Sequence, residues 1–271
     1  MKQNPKTIKQ ILNISFLSVS IPALILLLVL TCYTISRQIH ADQSDTEIQL
    51  SQVTTHMEEV LKRSETQLNN LVVPGSPFHS FHYSNTQLEK YQNAYTILQI
   101  LRPILTQDSC LGGFFLYSKE KSDNCYYPSF QQHYSYEDQK LLKDYFMQPI
   151  HLSEERNRWI PFMLSDRVVL IRMIGYNTTI CAVMVDPSLD NSSLFAGMSD
   201  SDMHLFYASL EGTPYTSEFV TRKLLFPYED NPVRKITLDK KTYQFISSPV
   251  GEYNLQLCCI FPYKGIWSHM N

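Results

Sequence analysis

The chain has 271 residues, of which 44% are hydrophobic and 18% are charged, and its formal net charge is -3. This composition is typical of a folded protein with one large or two small domains. The near-neutral charge, together with the lack of any Lys/Arg-rich run, argues against nucleic acid as a partner.

The first element is an apolar run between Lys9 and Arg37 that contains no charged residue. A helix rises about 1.5 Å per residue, so about 20 apolar residues cross the hydrocarbon core of a membrane, and Pro22 is tolerated within such a span. A cleavable signal peptide would have a shorter run and a small-x-small cleavage site, which the exit at Thr31–Thr34 lacks. The sequence therefore predicts a retained transmembrane helix at 11–35.

The charges that flank this span predict its orientation. Lys2, Lys6 and Lys9 precede it, whereas Arg37 is the nearby strong base after it and acidic residues follow. The positive-inside rule then places residues 1–10 in the cytoplasm and the main domain outside the cell. We expect a single-pass protein of the cell membrane.

Residues 36–72 contain neither Pro nor Gly, and apolar residues recur there in steps of three and four, with Ser64 and Gln67 as polar interruptions. This pattern predicts a long stalk helix that ends at the breaker cluster Val73–Pro77. Two interpretations stay open for it. The helix packs on its own domain, or it forms a parallel dimer stalk.

Residues 73–187 predict a membrane-distal module. It begins with a helix at Asn85–Leu105, on which one stripe contains Leu88, Tyr91, Tyr95, Leu98 and Leu101/Arg102. A short helix at Tyr136–Phe146 follows the second of five predicted strands, which are Leu111–Tyr117, Cys125–Tyr127, Trp159–Leu164, Arg167–Ile174 and Thr179–Val185. This order predicts an α+β fold, with a five-stranded antiparallel sheet and helices on one face.

Residues 188–265 predict a smaller membrane-proximal module. It has a short helix near Ser188–Phe195, a strand at His204–Ser209, and a hairpin formed by Tyr243–Pro249 and Tyr253–Pro262. Residues 266–271 then read as the start of a continuation.

Four segments carry a resemblance to a known family, and they are Gly112–Ser118, Trp159 with Val168–Arg172, Cys181–Asp186 and the terminal strand at Ile260–Tyr263. With the order of elements, they resemble the double Cache region of bacterial receptors, a PAS-like extracytoplasmic sensor. The chain is most similar to the input half of sensor histidine kinases from Gram-positive bacteria. The resemblance implies a small-molecule ligand or a solute-binding protein as partner, a membrane location, and a homodimer.

In that family a second membrane helix and a kinase follow, whereas this chain stops at Asn271 with no phosphoacceptor-histidine helix and no Gly-rich ATP-binding segment. We expect a fragment or a truncated reading frame, and no enzyme activity in the residues present. Two alternatives remain open. The same sensor precedes an AraC-type helix-turn-helix transcription regulator, or the chain is a membrane-anchored surface hydrolase or binding protein.

The resemblance also suggests where a ligand binds. Cache domains that bind amino acids use an Arg-x-Trp signature for the carboxylate and a downstream Asp for the ammonium group. Here 156–159 reads Arg-Asn-Arg-Trp, so neither arginine has the required spacing. The predicted pocket lies in the distal module and is lined by Tyr117, Tyr127, Trp159, Arg172 and Asp186.

The sequence predicts no metal site, no cofactor and no catalytic motif. His79 and His82 are close together, but no acidic residue or cysteine stands at ligand spacing, and the histidines at 133, 151 and 204 are isolated. No Gly-x-Ser-x-Gly motif occurs. Cys110 and Cys125 flank the first hairpin and would pair only in an oxidising compartment, so buried thiols are the favoured interpretation.

Overall fold

The computed structural model describes residues 5–119, 124–131, 134–147, 157–176, 178–189, 203–215, 224–229, 233–238 and 240–263. The chain divides into two compact units. One is Met1–Ile48 with Tyr263–Asn271, and the other is Gln49–Pro262.

Helix α1 spans Pro5–Leu71 and contains Pro22. The predicted membrane span and the predicted stalk are therefore parts of a single helix. The most apolar 18-residue window of α1 has a mean hydropathy of 2.4, and none of it is buried. By length and composition, this helix is able to cross a membrane.

The part of α1 that belongs to the second unit packs on its own domain. Leu50, Met57, Leu61 and Leu68 are fully buried in the main core, which also includes side chains from both β-sheets. The apolar seam predicted from the sequence is thus the contact surface between α1 and the rest of its unit. Of the two interpretations of this seam, the structure shows packing within one chain.

Two shorter helices follow, α2 at Pro77–Tyr83 and α3 at Gln87–Leu105. Ser76 caps α2, and its Oγ accepts from the His79 amide. Thr86 forms a capping box with Glu89 at the start of α3. The sequence does not predict α2, because Pro77 belongs to the breaker cluster at Val73–Pro77, although proline is favoured in the first turn of a helix.

The predicted apolar stripe on α3 is wrong over its first half, whereas Leu98 packs against the core and Leu101 is buried, as predicted. Leu88, Tyr91 and Tyr95 are 67%, 58% and 57% exposed. The buried face instead contains Lys90 and Ala94, together with apolar residues further along the helix. Lys90 Nζ donates to Ser118 Oγ at 3.2 Å, which explains how a lysine lies on the inner face.

The first sheet has five antiparallel strands in the order β2-β1-β5-β4-β3. The strands are β1 at Leu111–Lys119, β2 at Asn124–Phe130, β3 at Trp159–Met163, β4 at Val168–Tyr176 and β5 at Thr179–Val185. Helix α4 at Tyr136–Met147 lies between β2 and β3 in the chain. The predicted α+β fold is confirmed.

Helices cover both faces of this sheet, so the prediction of helices on one face is wrong. Phe114 and Leu116 pack in the same core as α1, α2 and α3. Phe115 and Met184 point to the opposite face and pack with Phe146 of α4. Successive side chains alternate across a strand, so the wholly buried strand β5 requires cover on both sides.

The second sheet has four strands in the order β6-β9-β8-β7. They are β6 at His204–Ala208, β7 at Val233–Leu238, β8 at Lys241–Pro249 and β9 at Gln256–Pro262, and the sequence analysis missed β7. Of the helix predicted at Ser188–Phe195, the structure shows a 3-10 turn at Pro187–Leu189, and the remainder lies outside the described residues. All six cysteines are described and keep their thiols.

Candidate functional site

A cavity of about 500 Å³ lies between the first sheet and the turn that joins β8 to β9. We call it the junction cavity. The side chains that line it include Asn157, Trp159, Pro161, Arg172, Tyr253 and Asn254. Small-molecule sites are commonly about 300–1,000 Å³ and combine apolar walls with a few polar groups, and this cavity has both properties.

One carboxylate of α1 holds the wall of the junction cavity. Trp159 on β3 and Arg172 on β4 are direct cross-strand partners, so their side chains share a face of the sheet. Trp159 Nε1 donates to Glu65 Oε1 at 2.8 Å. Arg172 Nη1 lies 2.8 Å from the same oxygen. Glu65 therefore ties α1 to two strands of the first sheet.

The turn between β8 and β9 contacts the same carboxylate. Burial raises the pKa of Tyr253 to about 12, and the charge of Glu65 and a hydrogen bond to it act in the same direction. The phenol thus stays protonated at neutral pH and donates to Glu65. As a result, Glu65 joins α1, the first sheet and the second sheet at one point.

One side chain that lines the cavity keeps an unused hydrogen-bond donor. Arg172 Nε is buried and has no hydrogen-bond partner among the described residues. Asn157 adopts a left-handed conformation with φ of 63°. Its backbone N–H donates to the Met173 carbonyl at 3.0 Å, which fixes the chain ahead of β3. A small molecule with an acceptor group would satisfy the arginine, since guanidinium donors match carboxylates and similar acceptors.

The five residues predicted to line a pocket lie in three places. Trp159 and Arg172 come together in the junction cavity. Tyr127 lies on β2 and packs against the same hydrophobic core as Trp159. Its ring centroid lies 6.1 Å from that of Phe81. Tyr117 and Asp186 lie towards α4 on the other face. The structure does not bring the five into one pocket, and their roles in binding stay predictions.

Tyr117 is 1% exposed, and its hydroxyl has no hydrogen-bond partner among the described residues. The hydroxyl of its cross-strand partner Tyr126 is also buried and has no hydrogen-bond partner among the described residues. Burial raises the pKa of both phenols. A second cavity of about 490 Å³ is lined by residues of β2 and α4, Tyr126 among them, and includes none of the five predicted residues.

Asp186 is fully buried just after β5, and its carboxylate is engaged by its own chain. It accepts from Ser188 Oγ at 2.5 Å and Tyr134 Oη at 3.3 Å, and Arg167 Nε lies 3.4 Å away. Burial raises the pKa of Asp186, although Ser188 and Arg167 act against this rise. These contacts tie the end of β5 to the segments before α4 and β4.

Sequence analysis missed Glu65, Tyr253 and Asn254. Glu65 lies in the predicted helix, next to Ser64 and close to Gln67, where the apolar seam is interrupted. That interruption was a signal, because a polar position in a packed seam requires a polar partner. The turn residues carried no comparable signal.

No protein-family model matches the sequence, and a comparison with curated proteins finds no match. Solved structures do match. The extracellular domain of soHK1S-Z6, assigned to a histidine kinase, aligns with a TM-score of 0.55 at 9% identity, over 88% of this chain and 98% of that one. The corresponding domain of rpHK1S-Z16 gives a TM-score of 0.55 at 12% identity, over 85% and 99%.

The ligand-binding domain of the Pseudomonas aeruginosa amino-acid chemoreceptor PctB, in complex with L-Arg, aligns with a TM-score of 0.53. Its identity is 12%, over 84% of this chain and 91% of that one. Likeness at such low identity concerns the fold. The chain has the α+β fold of the extracellular, Cache-type sensor domains of histidine kinases and chemoreceptors.

Proposed function

We propose that this chain is the extracytoplasmic ligand-sensing and signal-transducing region of a membrane-bound sensor histidine kinase, and that its ligand binds in the junction cavity. The sensor-type fold and the apolar segment of α1 support this proposal. So does the flanking charge, which favours a cytoplasmic N-terminus and an extracellular main domain.

The observation that carries the proposal is the shared carboxylate of Glu65. A ligand that bonds to Arg172 or displaces Trp159 changes contacts that hold α1 against the first sheet. Helix α1 includes both Glu65 and the candidate membrane span. A ligand affects the output only if it binds two arrangements with different affinity, typically by about 1–3 kcal/mol.

The ligand we propose is a small molecule with a carboxylate or similar acceptor. Arg172 Nη1 lies 2.8 Å from Glu65, and its Nε has no hydrogen-bond partner among the described residues. PctB binds L-Arg, which makes amino acids the natural first probes. Because the Arg-x-Trp spacing is absent, recognition would depend on the residues of this cavity and not on that signature.

The test is a thermal-shift screen of the full chain in detergent against the standard amino acids and small carboxylic acids. We expect at least one probe to raise the unfolding temperature of the wild type, as binding to the native state does. The same probe should have little effect on Arg172→Lys, because an ammonium group lacks the planar fork of the guanidinium. Arg102→Lys, an exposed arginine of α3, is the matched control and should respond like the wild type.

An equal shift in both arginine variants contradicts binding in the junction cavity. No shift with any probe, together with turnover of an ester or glycoside, contradicts the sensor function and favours the surface hydrolase. The output is tested separately by the coding sequence downstream of Asn271. A membrane span followed by a kinase supports the proposal, whereas DNA-binding motifs favour the AraC-type alternative. Chemical cross-linking of the chain in membranes tests the proposed homodimer.

A further inference from the structure

Three metal-ligating side chains converge away from the junction cavity. His56 lies on α1, and Asp108 and Cys110 lie between α3 and β1. Their candidate ligand atoms, an imidazole nitrogen, a carboxylate oxygen and the sulfur, all lie within 4.8 Å of one another. Cys110 is fully buried, Asp108 is 7% exposed and His56 is half-buried. A metal would therefore be held in a site largely closed to water but reachable beside His56.

We propose that His56, Asp108 and Cys110 bind a Zn²⁺ ion. Magnesium and calcium prefer sites made of oxygen ligands, whereas a thiolate and an imidazole favour a softer cation such as zinc. Zinc sites with three protein ligands leave a fourth position for water. Zinc–ligand bonds of about 2.0–2.3 Å place tetrahedral ligand atoms about 3.5 Å apart, so the side chains must move by about 1 Å.

The surroundings already attract a cation to this point. Asp108 Oδ1 accepts from the Cys110 amide at 3.2 Å, which orients the carboxylate. Its Oδ2 lies 3.8 Å from Arg63 Nη1. The Arg63 side chain is 46% exposed and extends to solvent, so it is able to withdraw when a metal ion neutralises the carboxylate. Arg63 is thus a competitor of the metal, and this relation gives the proposal a distinctive test.

Zinc at this site would join α1 to the segment that leads into β1. The backbone of Cys110 is also tied to the end of β5, because the Asp186 amide donates to the Cys110 carbonyl at 2.8 Å. The site would therefore fix the position of His56 on α1 relative to two neighbouring strands of the first sheet. This proposal does not depend on the proposed ligand or on the output domain.

The experiment is a calorimetric titration of the purified, chelator-treated full chain in detergent with zinc chloride. We expect one Zn²⁺ per chain. His56→Asn and Cys110→Ser should each weaken binding by more than about tenfold, since even removal of an outer partner of a metal ligand costs about that much. With Co²⁺ as the probe, the wild type should show a thiolate-to-cobalt charge-transfer band that Cys110→Ser lacks.

Two further variants make the result specific. Arg63→Gln should bind zinc several-fold more tightly, because the competing cation is gone and the three ligands remain. His204→Asn, which changes an exposed histidine of β6, should bind like the wild type. If Cys110→Ser does not fold, His56→Asn and Arg63→Gln decide the matter. The proposal is overturned if the wild type shows no saturable zinc binding, or if the affinity is unchanged in both His56→Asn and Arg63→Gln. It is also overturned if His204→Asn loses as much zinc affinity as His56→Asn.

Discussion

Replacing Glu65 by glutamine tests the network that connects α1 to both sheets. Glutamine keeps the size of the side chain and an oxygen that accepts from Trp159, but it removes the negative charge that faces Arg172. The ion pair is short, at 2.8 Å, and the exposed fractions of the two side chains are 14% for Arg172 and 22% for Glu65. The variant therefore removes the charge–charge part of the network and leaves one acceptor oxygen in place.

The magnitude follows from this partial burial. Removing one partner of a fully buried ion pair costs about 3–5 kcal/mol, whereas an exposed pair contributes about 0–1 kcal/mol. For Glu65→Gln we expect the free energy of unfolding to fall by about 2 kcal/mol. In a double-mutant cycle with Arg172→Met, the coupling energy should be about 1–2 kcal/mol, because two residues in direct contact are not additive.

The assay is urea unfolding of the full chain in detergent, followed by far-UV circular dichroism. Glu59→Gln, the same substitution at an exposed position of α1, is the matched control and should change the free energy of unfolding by less than about 0.5 kcal/mol. Equal effects of Glu65→Gln and Glu59→Gln would refute the reasoning. So would additive effects of Glu65→Gln and Arg172→Met, since additivity means that the two charges do not interact.

Three further variants test local features. Gly175 has a φ of +137°, and a Cβ there would meet the Thr179 carbonyl oxygen. Gly175→Ala should therefore lower the free energy of unfolding by more than about 1 kcal/mol. The decrease should be smaller for Gly75→Ala, because φ is +83° there and no atom lies within 4 Å of the added Cβ. Burial, and then the charges of His79 and Lys90, lower the pKa of His82 from 6.5, so its contribution to stability is present above pH 6.5 and is lost as the pH falls through the lowered value. His82→Gln should flatten that part of the stability profile, and an unchanged profile contradicts the assignment. Burial alone would raise the pKa of Asp138, but hydrogen bonds from Ser165 and Ser135 lower it below 3.8. Asp138→Asn should therefore lower the free energy of unfolding by about 1–3 kcal/mol at neutral pH. It should also remove the loss of stability that the wild type shows below pH 3.8. Urea unfolding across pH measures both effects.

Strands β4 and β5 were located because β5 has an uninterrupted apolar run and that of β4 is interrupted by Arg172 alone. Strand β7 at Val233–Leu238 escaped because it pairs with β8 alone and because the adjacent Arg234 and Lys235 break its apolar/polar alternation. An edge strand of this kind resembles a polar loop in sequence. The first half of the α3 stripe failed for the opposite reason, since Leu88, Tyr91 and Tyr95 have helical spacing but occupy an exposed face.

The candidate site was only partly predictable. Trp159 and Arg172 lie on consecutive strands, and antiparallel pairing places them side by side. Glu65 is 94 residues from Trp159 in the chain, so no local pattern links the two. The same is true of His56 and Cys110, which meet only because α1 packs against the segment before β1. Sequence spacing identifies metal sites whose ligands are local, and it fails for those assembled by tertiary packing.

The packing of α1 also limits how a signal is able to move along it. Within the second unit, Leu50, Val53, Met57, Leu61 and Leu68 are all fully buried. Sliding this helix by a full turn, about 5.4 Å, would take each of them out of its present place in the core. Burial of one such side chain is worth about 1.5–3 kcal/mol, so a slide that exposed all five would cost about 7.5–15 kcal/mol. Typical coupling by a ligand supplies about 1–3 kcal/mol. A ligand bound in the junction cavity, as proposed, would therefore shift or rotate α1 by small amounts around Glu65 and would not drive a slide that exposes these side chains.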